Sequence, residues 1–224
     1  EGSVMAIDPS GRGADETTYA VVKQLHGYLY TTALGGFSGG YDDDTLVKLA
    51  KVARNQKVNK IVIEANYGDG MFTKLFLPVL TRFWKCEVEE VKHYVQKEKR
   101  IIDTLEPVMM RHRLVVDLGA VKQDLQETLH SERLMYSLFY QMSRITRDRG
   151  SLRHDDRLDV LAMAVRYWVD AMARDEEVAV EGYREQVLQN ELRVFMEHVV
   201  GNTAGNYSRD FRMSYVNAGR DFRL

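Results

Sequence analysis

The chain has one cysteine, Cys86, among 224 residues, so no internal disulfide can form, and such cysteine usage suits a reducing compartment. Three prolines and 16 glycines are too few for a collagenous or low-complexity chain. No apolar run reaches the roughly 18 residues that a membrane-spanning helix requires. Cysteine and histidine never fall at zinc-ligand spacing, and neither the serines nor Cys86 has the surroundings of a nucleophilic triad. Neither sign of charge dominates: 31 basic against 33 acidic residues leave a formal charge of −2. That balance excludes coating of nucleic acid by bulk charge but permits a local basic groove. The chain opens at Glu1, without methionine, and enters an apolar strand almost at once. It reads as a piece of a longer polypeptide with no signal or transit segment.

What is present is the composition of a globular domain, 45% hydrophobic and 29% charged, with enough chain to bury a sizeable core. Val4 to Ile7 is a continuous apolar run ended by Asp8-Pro9-Ser10-Gly11, and Thr17 to Lys23 and Tyr28 to Leu34 are β-branched and aromatic runs separated by His26-Gly27. Together they predict a three-stranded meander beginning with a buried strand. Asp42, Asp43 and Asp44 precede a helical pattern through Ala53, which leads to the apolar strand Ile61-Val62-Ile63 and Glu64. A helix delivering the chain to a buried strand predicts a parallel crossover. Further on, the patterns predict a helix over 71–83 bent at Pro78, a strand over 86–95, a helix over 99–110 and a short strand at Leu114-Val115-Val116. The second half reads as helices over roughly 121–146, 156–174 and 185–200. From 201 to 224 the chain is a tail containing Arg209, Arg212, Arg220 and Arg223, without apolar periodicity and expected to be flexible. Residues 1–200 are then one α/β domain.

The acids stand at special places. Asp8 ends the first strand, Glu64 ends the fourth, and Asp155, Asp156 and Asp159 open a helix. Ligands of open α/β sheets bind outside the carboxyl ends of strands, so two strands that each end in a carboxylate bring both to one crevice. At about 100° per residue, the three helix acids share one arc while Leu158, Leu161, Ala162, Val165 and Trp168 share another. Carboxylates crowded in this way repel one another, and oxygen-only ligands select hard divalent cations.

Two glycine-containing turns accompany the acids. Asp8-Pro-Ser-Gly-Arg-Gly-Ala-Asp15-Glu-Thr17 is open to two readings: a phosphate cradle, or a turn that places Asp15 near a metal site. Glu64-Ala-Asn-Tyr-Gly-Asp-Gly70 allows close approach of a backbone or ligand beside the strand-end carboxylate. Between Lys92 and Arg113, six basic residues face three acids, and Lys97, Lys99 and Arg100 are the candidate phosphate contacts within that stretch. His154 is a capping or packing residue, or an aid to proton transfer.

Ala6-Ile7-Asp8 with its turn, Ile63-Glu64 through Gly70, and His154-Asp155-Asp156-Arg-Leu-Asp159-Val-Leu-Ala162 together resemble the three acidic motifs of the nuclease domain of large terminase subunits. These are the DNA-packaging motors of tailed bacteriophages, and the similarity is to the DNA maturase B type of short-tailed phages. The resemblance implies an RNase H-like fold: a mixed β-sheet flanked by helices, its first three strands antiparallel. It also implies a metal-dependent endonuclease that cuts concatemeric double-stranded DNA, with two Mg²⁺ or Mn²⁺ ions on Asp8, Glu64 and an acid of the third motif. For that acid Asp156 ranks first, Asp159 second and Asp155 third, with Asp15 as an auxiliary. The implied partners are double-stranded DNA, an N-terminal packaging ATPase domain, the portal and the small terminase subunit, in the host cytoplasm during phage assembly. No Gly-x-x-x-x-Gly-Lys-Ser/Thr motif occurs, so this piece is the cutter without the motor. A Holliday-junction resolvase or transposase-like nuclease would use the same acids, and a DNA-gripping or portal-docking module with weak nuclease activity is the reading from another class.

Overall fold

A computed structural model of the chain describes residues 2–10, 16–65, 70–129 and 133–201, with side chains up to residue 196. The meander is β1 (Gly2–Asp8), β2 (Thr17–Leu25) and β3 (Tyr28–Phe37), antiparallel in sequence order. Helix α1 (Asp43–Gln56) then returns the chain to β4 (Lys60–Glu64), which lies parallel to β1 as the crossover pattern predicts. Helix α2 (Met71–Phe83) leads to β5 (Glu87–Val91), and α3 (Lys97–Met110) leads to β6 (Leu114–Val116). The resulting six-stranded mixed sheet has the order β5-β4-β1-β2-β3-β6.

Alternation along the two central strands decides what each face carries. Met5, Ile7, Ile61 and Ile63 pack with Leu46, Leu49, Phe72 and Phe76 of α1 and α2 on one face. Val4, Ala6 and Val62 pack on the other, with Ile101 and Leu105 of α3 and Leu158, Leu161 and Val165 of α6 (Asp156–Gly201). A side-chain period of two therefore turns Asp8 and Glu64, which follow Ile7 and Ile63, toward the face covered by α3 and α6. Because Ile7 is registered with Ile63, the two carboxylates also come side by side. At the start of α2, Gly70 has φ +76, a left-handed conformation that glycine adopts without steric penalty, and a Cβ there would lie 2.9 Å from a Glu90 carboxylate oxygen.

Three elements differ from the sequence-based expectation. The helix expected over 121–146 is divided into α4 (Leu118–Thr128), a 3₁₀ turn at Leu134–Tyr136 and α5 (Leu138–Arg144). The cause is polar capture: the buried Asp124 carboxylate accepts from Ser137 Oγ at 2.7 Å and from Leu138 N, so the chain turns back at Ser137. Strand β5 stops at Val91 rather than Val95, and residues 92–96 lead over to α3. The helices expected over 156–174 and 185–200 are one helix, with no proline between them to end it. Two compact units result, Glu1–Arg174 and Asp175–Leu224. The second comprises, among its described residues, the helical stretch to Gly201, with exposed side chains through Met196. The tail expected over 201–224 lies outside the described residues beyond Gly201.

One buried cation fastens the start of α6. Arg157 is 1% exposed and meets Glu16 at 3.2 Å, Asp124 at 2.8 Å and Glu127 at 2.9 Å, drawing together the residue just before β2, α4 and α6. Leu158 N donates to Gln141 Oε1 at 2.9 Å, and Trp168 Nε1 donates to the Val22 carbonyl at 3.0 Å, continuing the attachment along the helix. Removal of one partner from a buried ionic cluster costs about 3–5 kcal/mol, because the other charges stay buried without compensation. Arg157→Met is accordingly expected to lower the unfolding free energy by that amount. Urea unfolding measures it, and a loss under 1 kcal/mol would show that the cluster contributes no net stability.

Candidate metal centre

Asp8, Glu64 and Asp159 each offer a carboxylate oxygen, and the three oxygens lie within 4.8 Å of one another. The first two come from adjacent parallel strand ends. Asp159 comes from the first turn of α6, whose N-terminus lies over the same edge, with Asp159 N donating to the Asp155 carbonyl at 2.9 Å. Glu64 and Asp159 are buried, and Asp8 is partly open.

The first turn of α3 supplies the opposing charge. Lys97 and Arg100, three apart on one helix face, both reach the acids. Arg100 Nη2 donates to both Asp159 carboxylate oxygens at 2.8 Å, and Nη1 donates to Glu64 Oε1 at 3.5 Å. Lys97 Nζ lies 2.8 Å from Asp155, 3.3 Å from Asp156, 3.3 Å from Asp159 and 4.0 Å from Asp8. The structure thus gathers Asp8, Glu64, Asp155, Asp156 and Asp159 around two cations. Asp159 is the third-motif acid grouped with Asp8 and Glu64, while Asp155 and Asp156 flank Lys97. Asp15 lies outside the described residues, as does the segment from Asn66 to Asp69.

Of the candidate phosphate contacts, Lys97 and Arg100 are engaged with carboxylates, whereas Lys99 is exposed and forms no ion pair among the described residues. His154 stacks on Tyr136 with ring centroids 4.1 Å apart, a packing arrangement. The reading of separate acidic and basic motifs missed that Lys97 and Arg100 pair with the acids, although their spacing of three on a helix following a strand was the available signal. Arg157 was missed too, since a single arginine between acids looks like surface.

The charge balance is unequal. Burial holds the Asp8 carboxyl well above the usual carboxylate range, and Glu64 adds to it. Burial likewise pushes Asp159 up to about 6, against the pull of Lys97 and Arg100. Burial alone would lower the Lys97 ammonium, but the surrounding carboxylates outweigh it and hold the group above the ordinary lysine value. Five carboxylates share two positive charges, and the donors are all hard oxygens. This donor set fits a divalent cation of the magnesium or manganese kind.

A mixed sheet with three antiparallel leading strands and carboxylates meeting at β1, β4 and a covering helix defines an RNase H-like domain with a candidate metal centre. Residues 7–114 match the family described as Terminase Bacteriophage T7, Ribonuclease H-like domain. The large terminase subunit of Enterobacteria phage T3 is 44% identical over 206 residues, covering 91% of this chain and 34% of that protein. Among solved structures, the human cytomegalovirus terminase nuclease domain, soaked with manganese and bound to an inhibitor, aligns with TM-score 0.52 at 14% identity, over 74% of this chain and 82% of that one. A mutant nuclease domain of the large terminase subunit of bacterial virus Sf6, with manganese, aligns with TM-score 0.50 at 11% identity, over 74% and 88%. Residues 7–114 thus carry the RNase H-like domain of the phage terminase family, and nearly the whole chain is similar to a phage large terminase subunit. The chain spans about a third of the length of the phage T3 relative.

The raised Asp159 value fixes a sign. A carboxyl whose folded-state pKa is about 6, against about 3.9 for an unperturbed Asp, disfavours the folded state once ionised; the cost is absent below the lower value and complete above the upper one. In EDTA, the wild-type chain is therefore expected to lose stability relative to Asp159→Asn as pH rises from about 4 to about 6, with no further change above. Urea midpoints of both proteins across that range check it, and a constant difference would contradict it.

Proposed function

We propose that this chain is the metal-dependent endonuclease of a DNA-packaging terminase, cutting concatemeric double-stranded DNA at the initiation and termination of packaging by two-metal catalysis. One observation carries the reading: Asp8, Glu64 and Asp159 converge within 4.8 Å in a chain that carries the RNase H-like domain of the phage terminase family. Asp8, Glu64 and Asp159 would hold the ions, Asp156 would stand next to them, and Asp155 would complete the rim. Divalent ions held there would supply Lewis-acid stabilisation of phosphoryl charge and activation of water at neutral pH. Similarly folded terminase domains of bacterial virus Sf6 were solved with manganese and with calcium, which supports the choice of a divalent ion for this reading.

The chain's own groups have separable tasks. Arg100 holds the Asp159 carboxylate by two hydrogen bonds and so sets its orientation. Lys97, more open than Arg100, balances the rim acids and is the cation nearest to an approaching phosphate. Arg157 keeps α6 seated from the other side. The substrate is double-stranded DNA. In the whole protein the partners are an N-terminal packaging ATPase, the portal and the small terminase subunit, in the host cytoplasm during phage assembly.

Nicking of supercoiled plasmid with titrated Mg²⁺ or Mn²⁺ tests the reading. Asp8→Asn, Glu64→Gln and Asp159→Asn are each expected to abolish cleavage with unchanged circular dichroism. Asp156→Asn, adjacent to the ligands, is expected to lose about 10–100-fold. Wild-type cleavage in all three variants of the triplet, or cleavage that survives EDTA, would overturn the mechanism. Saturating metal is also expected to stabilise the fold, by about 2.7 kcal/mol at a hundredfold excess over Kd. An unchanged melting temperature in millimolar metal would argue against binding.

A further inference from the structure

Outside the carboxylate cluster, a groove of about 820 Å³ runs between α3 and the first part of α6, over the β4 and β5 edge of the sheet. This lies within the roughly 300–1,000 Å³ of small-ligand sites and is too small for a duplex. Its floor is apolar, with Val62 and Met163. Two tyrosines line it. Tyr167 is held between Lys60, whose Nζ lies 5.2 Å from its ring centroid, and Trp168, whereas Tyr94 is 90% exposed with its ring free among the described residues.

The lining is also basic, with Lys60, Lys92, Arg100, Arg166 and Arg174 against Glu89, Asp103 and Asp170. Lys60 is engaged by Glu87 and Glu89, and Arg166 by Asp170. Lys92 and Arg174 form no side-chain ion pair among the described residues, so their charge faces outward uncompensated. His93 and Arg100 line the groove as well, and each has a buried side-chain nitrogen without a hydrogen-bond partner among the described residues. Arg100 belongs to both places: its guanidinium grips Asp159 and Glu64 while the residue forms part of the groove wall. Groove and metal centre therefore share a wall.

We propose that this groove binds a short single-stranded DNA segment, the part of the cut strand adjoining the bond at the carboxylate cluster. The proposal rests on the nuclease reading for that adjacency. A free aromatic ring beside cations outside any ion pair suits a single strand, because its bases are unstacked and offer a face to the ring while the cations track its phosphates. A duplex hides those faces within its own stack. The groove thus serves a strand separated locally from its complement, with Tyr94 stacking on a base and Lys92 and Arg174 contacting phosphates.

The test is fluorescence anisotropy of labelled octathymidylate in EDTA, where nothing is cut. Tyr94→Ala is expected to weaken binding about fivefold or more without changing the slope of log affinity against log salt, since stacking releases no counterion. Lys92→Glu combined with Arg174→Glu is expected to weaken binding at least tenfold and to make the slope shallower by about 0.7 per lost contact. These residues are exposed, so each variant is expected to keep the wild-type melting temperature, which is measured alongside. Asp8→Asn is expected to bind the oligonucleotide normally while failing to cut. Undiminished binding in both groove variants would overturn the proposal, as would equal binding of an eight-base-pair duplex with the same sensitivity to both changes. Oligonucleotide binding that depends on the groove, in a protein that never cuts plasmid, would keep the groove and remove the nuclease reading instead.

Discussion

Like charges withdrawn from water repel unless opposite charge is withdrawn with them, and the Glu1–Arg174 unit is organised around that requirement. Five carboxylates converge where β1, β4 and α6 meet, and the first turn of α3 brings Lys97 and Arg100 to them. The contact is more than decoration of a surface. It joins the connection after β5 to the beginning of α6, so two helices that share the apolar face of Val4, Ala6 and Val62 are also tied at their polar ends. Two cations do not balance five anions, and the remaining imbalance makes the centre receptive to a divalent ion.

A second ionic node lies on the opposite side of the same helical turn. Arg157 points away from Asp156 and Asp159 into Glu16, Asp124 and Glu127. Neighbouring residues on a helix lie about 100° apart, so alternate signs in Asp156-Arg157-Leu158-Asp159 send charge to different sides without interrupting the apolar stripe. The Asp124 end of this node also bends the chain between α4 and α5. One short sequence thereby presents acid to the carboxylate cluster, anchors itself by an arginine and contributes Leu158 to the core.

Burial and function act in opposite directions at the centre. Holding Asp8 and Asp159 out of water raises their proton affinity and costs stability near neutral pH, the opposite of what stability alone would favour. Arg100 links this charged site to the basic, aromatic-lined groove beside it. Groove and carboxylate cluster are consequently not independent surfaces.

Much of the plan was legible in the chain itself. Period-two patterning and turn residues marked β1 to β4, and the apolar runs ending in Asp8 and Glu64 placed both acids at strand ends, because local propensity and burial agree there. The helix acids and the resemblance of the three motifs were equally visible. What the chain alone left open was partnership. Whether Asp156 or Asp159 joins Asp8 and Glu64 depends on the rotation of α6, which is set by packing of Leu158, Leu161 and Val165 and by Arg157 held from α4 and from the residue just before β2. The position of Lys97 and Arg100 over the acids depends on where α3 lands after β5. The break at Ser137 depends on Asp124 capturing Ser137 and Leu138 while it also holds Arg157 of another helix. Local periodicity reports which face of an element is apolar; only the packed tertiary structure decides which charges on the remaining faces meet, because those contacts join residues 13 to 141 positions apart, on different elements.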